Sequence, residues 1–227
     1  MLENRFWEPS NHSNLEGYWE PHSSSIEFCE TNYLHSHYIT EVHNVWSSLI
    51  GLSTFGIAGL ILGNHLAEKR NIVAYSVLIL IGLGSAGLHG TLYWLLQSAD
   101  ELPMLYLLHS VFYLCGEYNA PIGKPNHPYL PHFLIFLAAA NTIIYYCFQK
   151  LYLVFMFTFI GEAALVILGL NHIVFKKEGR SGVAKRILNT GVCSLFLVAI
   201  PSWIFDMLLC KEFIGFANQN LFGMTPQ

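Results

Sequence analysis

Six stretches of the chain are long, apolar and almost free of charge. They run over residues 45–63, 71–96, 101–117, 130–148, 152–175 and 187–210. A helix needs about 20 mostly apolar residues to cross the hydrocarbon of a bilayer. Inside that layer every backbone N–H and C=O must be satisfied within the protein, which leaves helices or closed barrels. Barrel strands would show segments of about ten residues with dyad alternation, and none is visible. The expected fold class is therefore all-α, a polytopic membrane helical bundle. Composition agrees. Of 227 residues only 11% are charged and 53% are apolar, against roughly 25% charged in an ordinary soluble domain. A solvated surface cannot be built from so few charges, and the apolar content excludes disorder. The net charge of −4 argues against a nucleic-acid partner. The linkers are short and no repeat is visible, so residues 1–227 are expected to form a single domain.

The first 40 residues are polar and aromatic and contain no apolar signal-peptide core, so the first span is expected to serve as the insertion signal. Orientation follows from the basic residues. The first, third and fifth loops hold Lys69, Arg70, Lys124, Lys176, Lys177, Arg180, Lys185 and Arg186. Only Arg5, Lys150 and Lys211 lie elsewhere. The odd loops are expected to be cytosolic, and residues 1–44 lumenal. The sequon Asn11-His12-Ser13 fits a lumenal glycosylation site. Cys29 and Cys210 both fall on the oxidising side, where they can pair; two free thiols are the alternative.

Ionisable groups within spans point to function. With a rise of about 1.5 Å per residue, His89 comes near the lumenal end of the second span. Asp100 and Glu101 open the third span at that same end, and Asp206 closes the sixth there. Ser85, four residues before His89, shares its helical face. A serine, a histidine and a carboxylate at one depth have the make-up of a reaction site. The plainer readings stay open: a core histidine on a backbone carbonyl, and an acidic helix N-terminus favoured by the macrodipole. For His109, Glu162 and His172 the reading is interhelical hydrogen bonding. In the N-terminal segment Glu27, Glu30, Asn32 and Glu41 offer hard oxygen ligands suited to Ca²⁺, although a solvated acidic stretch has the same composition. A transporter would show broken midplane helices and repeated halves, and the polar residues cluster at one end instead.

Several motifs resemble one family. EGYWEP (16–21), EFCETNY (27–33), YITEVHN (38–44), GLGSAGLH (82–89), DELPMLY (100–106) and WIFDMLLC (203–210) are similar to the alkaline ceramidases. These are seven-helix intramembrane zinc hydrolases related to the adiponectin and progestin receptors. The resemblance implies a seven-helix fold. It also implies hydrolysis of ceramide to sphingosine and a fatty acid, as part of sphingolipid metabolism in the endoplasmic reticulum or Golgi membrane, with the bilayer and a ceramide-type lipid as partners. It implies His89 as one of three Zn²⁺ ligands, Ser85 in support of the metal or the oxyanion, and Asp100 in proton transfer. A Ca²⁺ site is implied at Glu27, the Phe28 carbonyl, Glu30, Asn32 and Glu41, and a Cys29–Cys210 disulfide. The other two zinc ligands of the family come from an H-x-x-x-H motif in the seventh helix. This sequence ends in NQNLFGMTPQ with no histidine after His172. The expectation is six of seven helices, a seventh that is missing, and a chain whose own activity is in question. The alternative is a non-catalytic lipid-binding pseudoenzyme or a receptor-like membrane protein.

Overall fold

The computed structural model describes residues 16–26, 28–63, 69–118, 120–121, 124–148, 152–176 and 182–208. Among these residues the regular structure is entirely helical. Six helices follow one another: α1 Val42–Leu62, α2 Lys69–Thr91, α3 Trp94–Gly116, α4 Leu130–Cys147, α5 Tyr152–Asn171, and α6, which runs through Gly182–Ser194, Leu195–Ala199 and Ile200–Leu208. Wide π turns interrupt α1 at Leu49–Ser53 and α6 at Leu195–Ala199, and another extends α5 at His172–Lys176. His172 stands exposed in that last turn.

Five of the six expected spans coincide with helices long and apolar enough to cross a membrane: Val42–Leu62, Asn71–Thr91, Leu130–Cys147, Tyr152–Phe175 and Lys185–Asp206. The third expected span differs. It lies in α3, a 23-residue helix that is long enough but too polar for that group. Its polar side chains point inward: Gln97, Ser98, Glu101 and His109 are all buried. The outer surface of the bundle is the reverse, with Phe55, Leu62, Ile135, Phe136, Phe157 and Leu197 among its exposed residues. Apolar outside and polar inside is what a bilayer selects, because lipid supplies no hydrogen-bond partners.

A second difference concerns where α3 begins. The second expected span ran to residue 96, but α2 stops at Thr91 and the chain reverses through Leu92 and Tyr93. Leu92 takes a left-handed φ of 51° and is fully buried. Asp100 and Glu101 therefore sit two turns inside α3 rather than at its start. The macrodipole, confined to the first turn, does not account for them.

The second and third helices form the most extensive pairing in the bundle. A Cβ placed on Gly84 would come within 2.1 Å of the Ala99 carbonyl oxygen and 2.8 Å of the Asp100 nitrogen. Only glycine permits that approach. Pro103, inside α3, has no N–H to give the carbonyl four residues earlier, and that carbonyl is Ala99, the one facing Gly84.

The N-terminal segment lies across this end of the bundle and satisfies the open carbonyls at the C-terminus of α2. Thr40 and Glu41 donate their N–H groups to Gly90 and His89 at 3.1 and 2.9 Å, and Ser23 and Ser24 donate theirs to Leu92 at 3.1 and 2.9 Å. Within the segment the Tyr33 ring covers Gly17, where a Cβ would meet it at 2.0 Å. The Tyr33 hydroxyl accepts from the Trp19 N–H at 3.3 Å and lies 3.0 Å from His22 Nε2. Burial pushes the Tyr33 phenol above its ordinary pKa, so the hydroxyl keeps its proton.

Candidate functional site

The last turn of α2 places His89 at the point where α1, α3 and the N-terminal segment converge. Its Nδ1 is 2.5 Å from Glu41 Oε2. Glu41 is completely buried and His89 is 8% exposed. The Phe28 ring packs against the imidazole with centroids 4.6 Å apart. A histidine held through Nδ1 by a carboxylate has a fixed ring orientation and leaves Nε2 to act on something else. Backbone and side chain cooperate here, since the Glu41 N–H that bonds the His89 carbonyl sets the glutamate opposite the ring. This pairing excludes the plainer reading of a histidine held by a backbone carbonyl.

Ser85, one turn before His89, is buried. Its Oγ lies 3.0 Å from Ser48 Oγ of α1, which also donates to the Asn44 carbonyl at 2.8 Å. Across the close helix pair, Asp100 lies near both Ser85 and His89. Asp206 of α6 also lies within electrostatic range of His89, and its Oδ1 accepts the Cys29 N–H at 3.2 Å. His89, Asp100 and Asp206, expected at one depth, and Ser85, expected on the His89 face, thus lie together at one end of the bundle.

The acidic N-terminal residues divide. Glu30 takes the N–H groups of His43 and Asn44 on its two carboxylate oxygens, at 2.7 and 2.9 Å. These are orphan donors of the first turn of α1, so Glu30 caps that helix from a distance. Glu41 accepts from the Asn44 side-chain amide at 3.1 Å, so both carboxylates bind one residue. The second oxygen of Glu41, Oε1, is buried without a hydrogen-bond partner. Asn32 is partly buried and has an interaction of its own. Cys29 is disulfide-bonded. Glu27, Cys210 and Asn11 lie outside the described residues.

Two buried networks tie the helices together, and the first of them went unread in the sequence. In the first, Glu101 accepts from Gln97 Nε2 at 2.9 Å and from the Tyr145 hydroxyl of α4 at 2.6 Å. Gln97 in turn donates to Ser25 Oγ at 2.6 Å and accepts the Ser25 N–H at 2.8 Å. Ser25, Gln97, Glu101, Tyr145, Tyr152 and Phe155 line a small cavity. The available signal was the i,i+4 spacing of Gln97 and Glu101. In the second, Asn141 of α4 donates to Glu162 Oε1 of α5 at 2.7 Å, and His109 Nε2 of α3 faces Glu162 Oε2 at 3.1 Å. Glu162 thus makes the interhelical hydrogen bond expected of it, while His109 meets it as an ion-pair contact without a hydrogen bond. At the other end of α3, Glu117 accepts the N–H groups of Asn126 and His127 at 2.7 and 2.8 Å and so ties down the following loop.

Comparison with known proteins gives a consistent result. A family model described as Ceramidase matches residues 20–225. Alkaline ceramidase 3 of Mus musculus is 28% identical over 224 residues, covering 93% of this chain and 78% of that protein. Alkaline ceramidase 1 of the same species is 29% identical over 213 residues, covering 89% and 74%. The alkaline ceramidase of Arabidopsis thaliana is 28% identical over 203 residues, covering 87% and 74%.

Proposed function

From the premise that the chain belongs to the ceramidase family, we propose that it hydrolyses the amide bond of a ceramide within the bilayer. The observation that carries the reading is the convergence of buried Glu41, Ser85 and His89 with the half-buried Asp100 at one end of an apolar bundle. Ceramide is too apolar to leave the membrane, so its amide must be met by polar groups set inside helices. Water attacks the carbonyl carbon, the C–N bond breaks, and the proton lost by water must reach the leaving amine. Asp100 is placed to accept that proton and return it, a general-base and then general-acid role. The Ser85 hydroxyl, which accepts from Ser48, can donate to the oxyanion as it develops. Glu41 fixes the ring of His89 through Nδ1 and leaves Nε2 for other chemistry.

The family resemblance implies zinc. A catalytic zinc takes three protein ligands and a water. Among the described residues, no three His, Cys, Asp or Glu side chains group as a metal site, and His89 is the single histidine at this centre. The described residues do not by themselves make up a zinc centre. Calcium fits better. Glu41 Oε1 is a buried carboxylate oxygen without a partner, and Glu30 and Glu41 bring two negative charges to Asn44. Glu30 and Glu41 would hold the ion, together with Glu27, the Phe28 carbonyl and Asn32. It would neutralise the paired carboxylates and brace the N-terminal segment. The segment would face the lumen of the endoplasmic reticulum or Golgi, in keeping with the basic residues of the opposite loops.

The test is fatty-acid release from ceramide by the protein in lipid nanodiscs, with and without added Zn²⁺ and Ca²⁺, beside the variants Asp100→Asn and His89→Ala. Turnover that falls at least about 100-fold in both variants supports the reading, in line with the weight of a lost general base. Turnover that both variants leave intact overturns it.

A further inference from the structure

The N-terminal segment carries a row of aromatic rings that the reaction does not use. Tyr38 packs on Tyr18 with centroids 5.6 Å apart, Tyr18 meets Trp19 edge-on at 4.8 Å, and Trp19 meets Tyr93 edge-on at 5.7 Å. The row is rigid, because Trp19 Nε1 donates to the Tyr38 carbonyl at 2.8 Å and the Tyr18 N–H to the His37 carbonyl at 3.0 Å. It is also open to the outside: Tyr18 is 60% and Tyr38 65% exposed. Tyr93 belongs to the two-residue reversal between α2 and α3, which marks the end of a membrane-spanning helix. Trp46, exposed near the start of α1, lies at the same end, since Glu41 just before that helix bonds to His89 near the end of α2.

We propose that this row of rings beds the N-terminal segment, residues 16–40, into the headgroup layer of the bilayer that the helices span. Tyrosine and tryptophan combine an apolar body with a polar tip and partition to that depth. The row reaches the helix ends through Tyr93, and Trp46 is exposed at the same end. Charge identifies the kind of lipid. Residues 16–40 contain Glu16, Glu20, Glu27 and Glu30 and no lysine or arginine. Docking by attraction to anionic headgroups, which needs basic residues, is therefore excluded, and the occupant is the zwitterionic headgroup layer. The same segment carries Glu41 to His89 and covers the end of the α2–α3 pair, so a bedded segment lies over the site at the level where a lipid headgroup sits.

The experiment uses the full chain in phosphatidylcholine nanodiscs, with Trp7, Trp46, Trp94 and Trp203 replaced by phenylalanine so that Trp19 is the sole emitter. The expected result is loss of Trp19 emission with lipid brominated near the carbonyl end of its acyl chains. Iodide in the water should have little effect, and adding phosphatidylserine should change nothing. Quenching by iodide with no response to brominated lipid overturns the proposal, and so does bedding that requires phosphatidylserine. If the four-fold variant fails to fold, the native chain is photolabelled with a photoreactive phosphatidylcholine. Adducts at Tyr18, Trp19 or Tyr38 support the proposal, and adducts confined to residues 42–208 overturn it.

Discussion

Glu41 presents no surface to solvent, and of its two carboxylate oxygens Oε2 holds both His89 and Asn44 while Oε1 has no partner. Removing the side chain strands His89 Nδ1 in a buried site. A buried polar group left without its partner costs about 1–3 kcal/mol, and loss of the group that orients a working histidine costs about 10–100-fold in function. The variant Glu41→Ala is therefore expected to lower both thermal stability and ceramide turnover. Glu41→Gln, which keeps a carbonyl oxygen for His89, is expected to retain more of both. Unfolding followed in detergent and a fatty-acid release assay separate the two effects. Glu30 acts differently. It caps the first turn of α1 and touches no reacting group, so Glu30→Ala should cost about 1–2 kcal/mol of stability, the worth of a lost cap. A calcium titration of the same variant, read by the melting temperature, reports on its proposed ligand role. A smaller rise on adding Ca²⁺ than in the unaltered chain is the expected outcome.

At the scale of elements, the α2–α3 pair governs how closely Ser85 approaches Asp100. Gly84→Val puts methyl groups where the Ala99 carbonyl stands, and overpacking of this kind costs about 1–3 kcal/mol. The helices must separate, so turnover should fall more than stability alone explains, with the loss in kcat rather than KM. The reversal at Leu92 sets two effects against each other. Leu92→Gly relieves a left-handed backbone worth about 1–2 kcal/mol. It also empties a fully buried leucine site, and large-to-small core changes there run to about 2–5 kcal/mol. The second is larger, so the variant should melt at a lower temperature than the unaltered protein.

For the whole molecule, cohesion rests on polar ties between elements more than on apolar burial, because lipid competes for apolar contacts. The chain Ser25–Gln97–Glu101–Tyr145 links the N-terminal segment to α3 and α4. His109, Asn141 and Glu162 link α3, α4 and α5. Tyr145→Phe leaves a buried oxygen of Glu101 unpaired, at a cost of about 1–3 kcal/mol. The pairing of Tyr145 with Glu101 is tested by the double variant Tyr145→Phe with Glu101→Leu. If the two groups stabilise each other, the double variant should melt higher than the sum of the single losses predicts, since the second change removes the stranded oxygen.

The helical membrane-type segments, and the shared end of the bundle at which His89, Asp100 and Asp206 lie, were legible in the sequence, because hydrophobic runs and a rise of about 1.5 Å per residue act locally. Four features were not. The start of α3 was misplaced because the reversal falls on a leucine at positive φ, where local preference would ask for glycine. The third span was counted with the other apolar ones, although Gln97, Ser98, Glu101 and His109 form a polar stripe buried among neighbouring helices. The acidic N-terminal residues looked alike in sequence, and contacts across the fold made Glu30 a helix cap and Glu41 the partner of His89. The Glu101 network joins Ser25 to Gln97 across 72 positions, a distance over which no local pattern operates. The sequence alone determined that the chain lives in a membrane as helices, since the solvent acts on each segment separately. Which polar groups meet was decided only by tertiary structure, since inside lipid each buried polar atom must find its partner on another part of the chain.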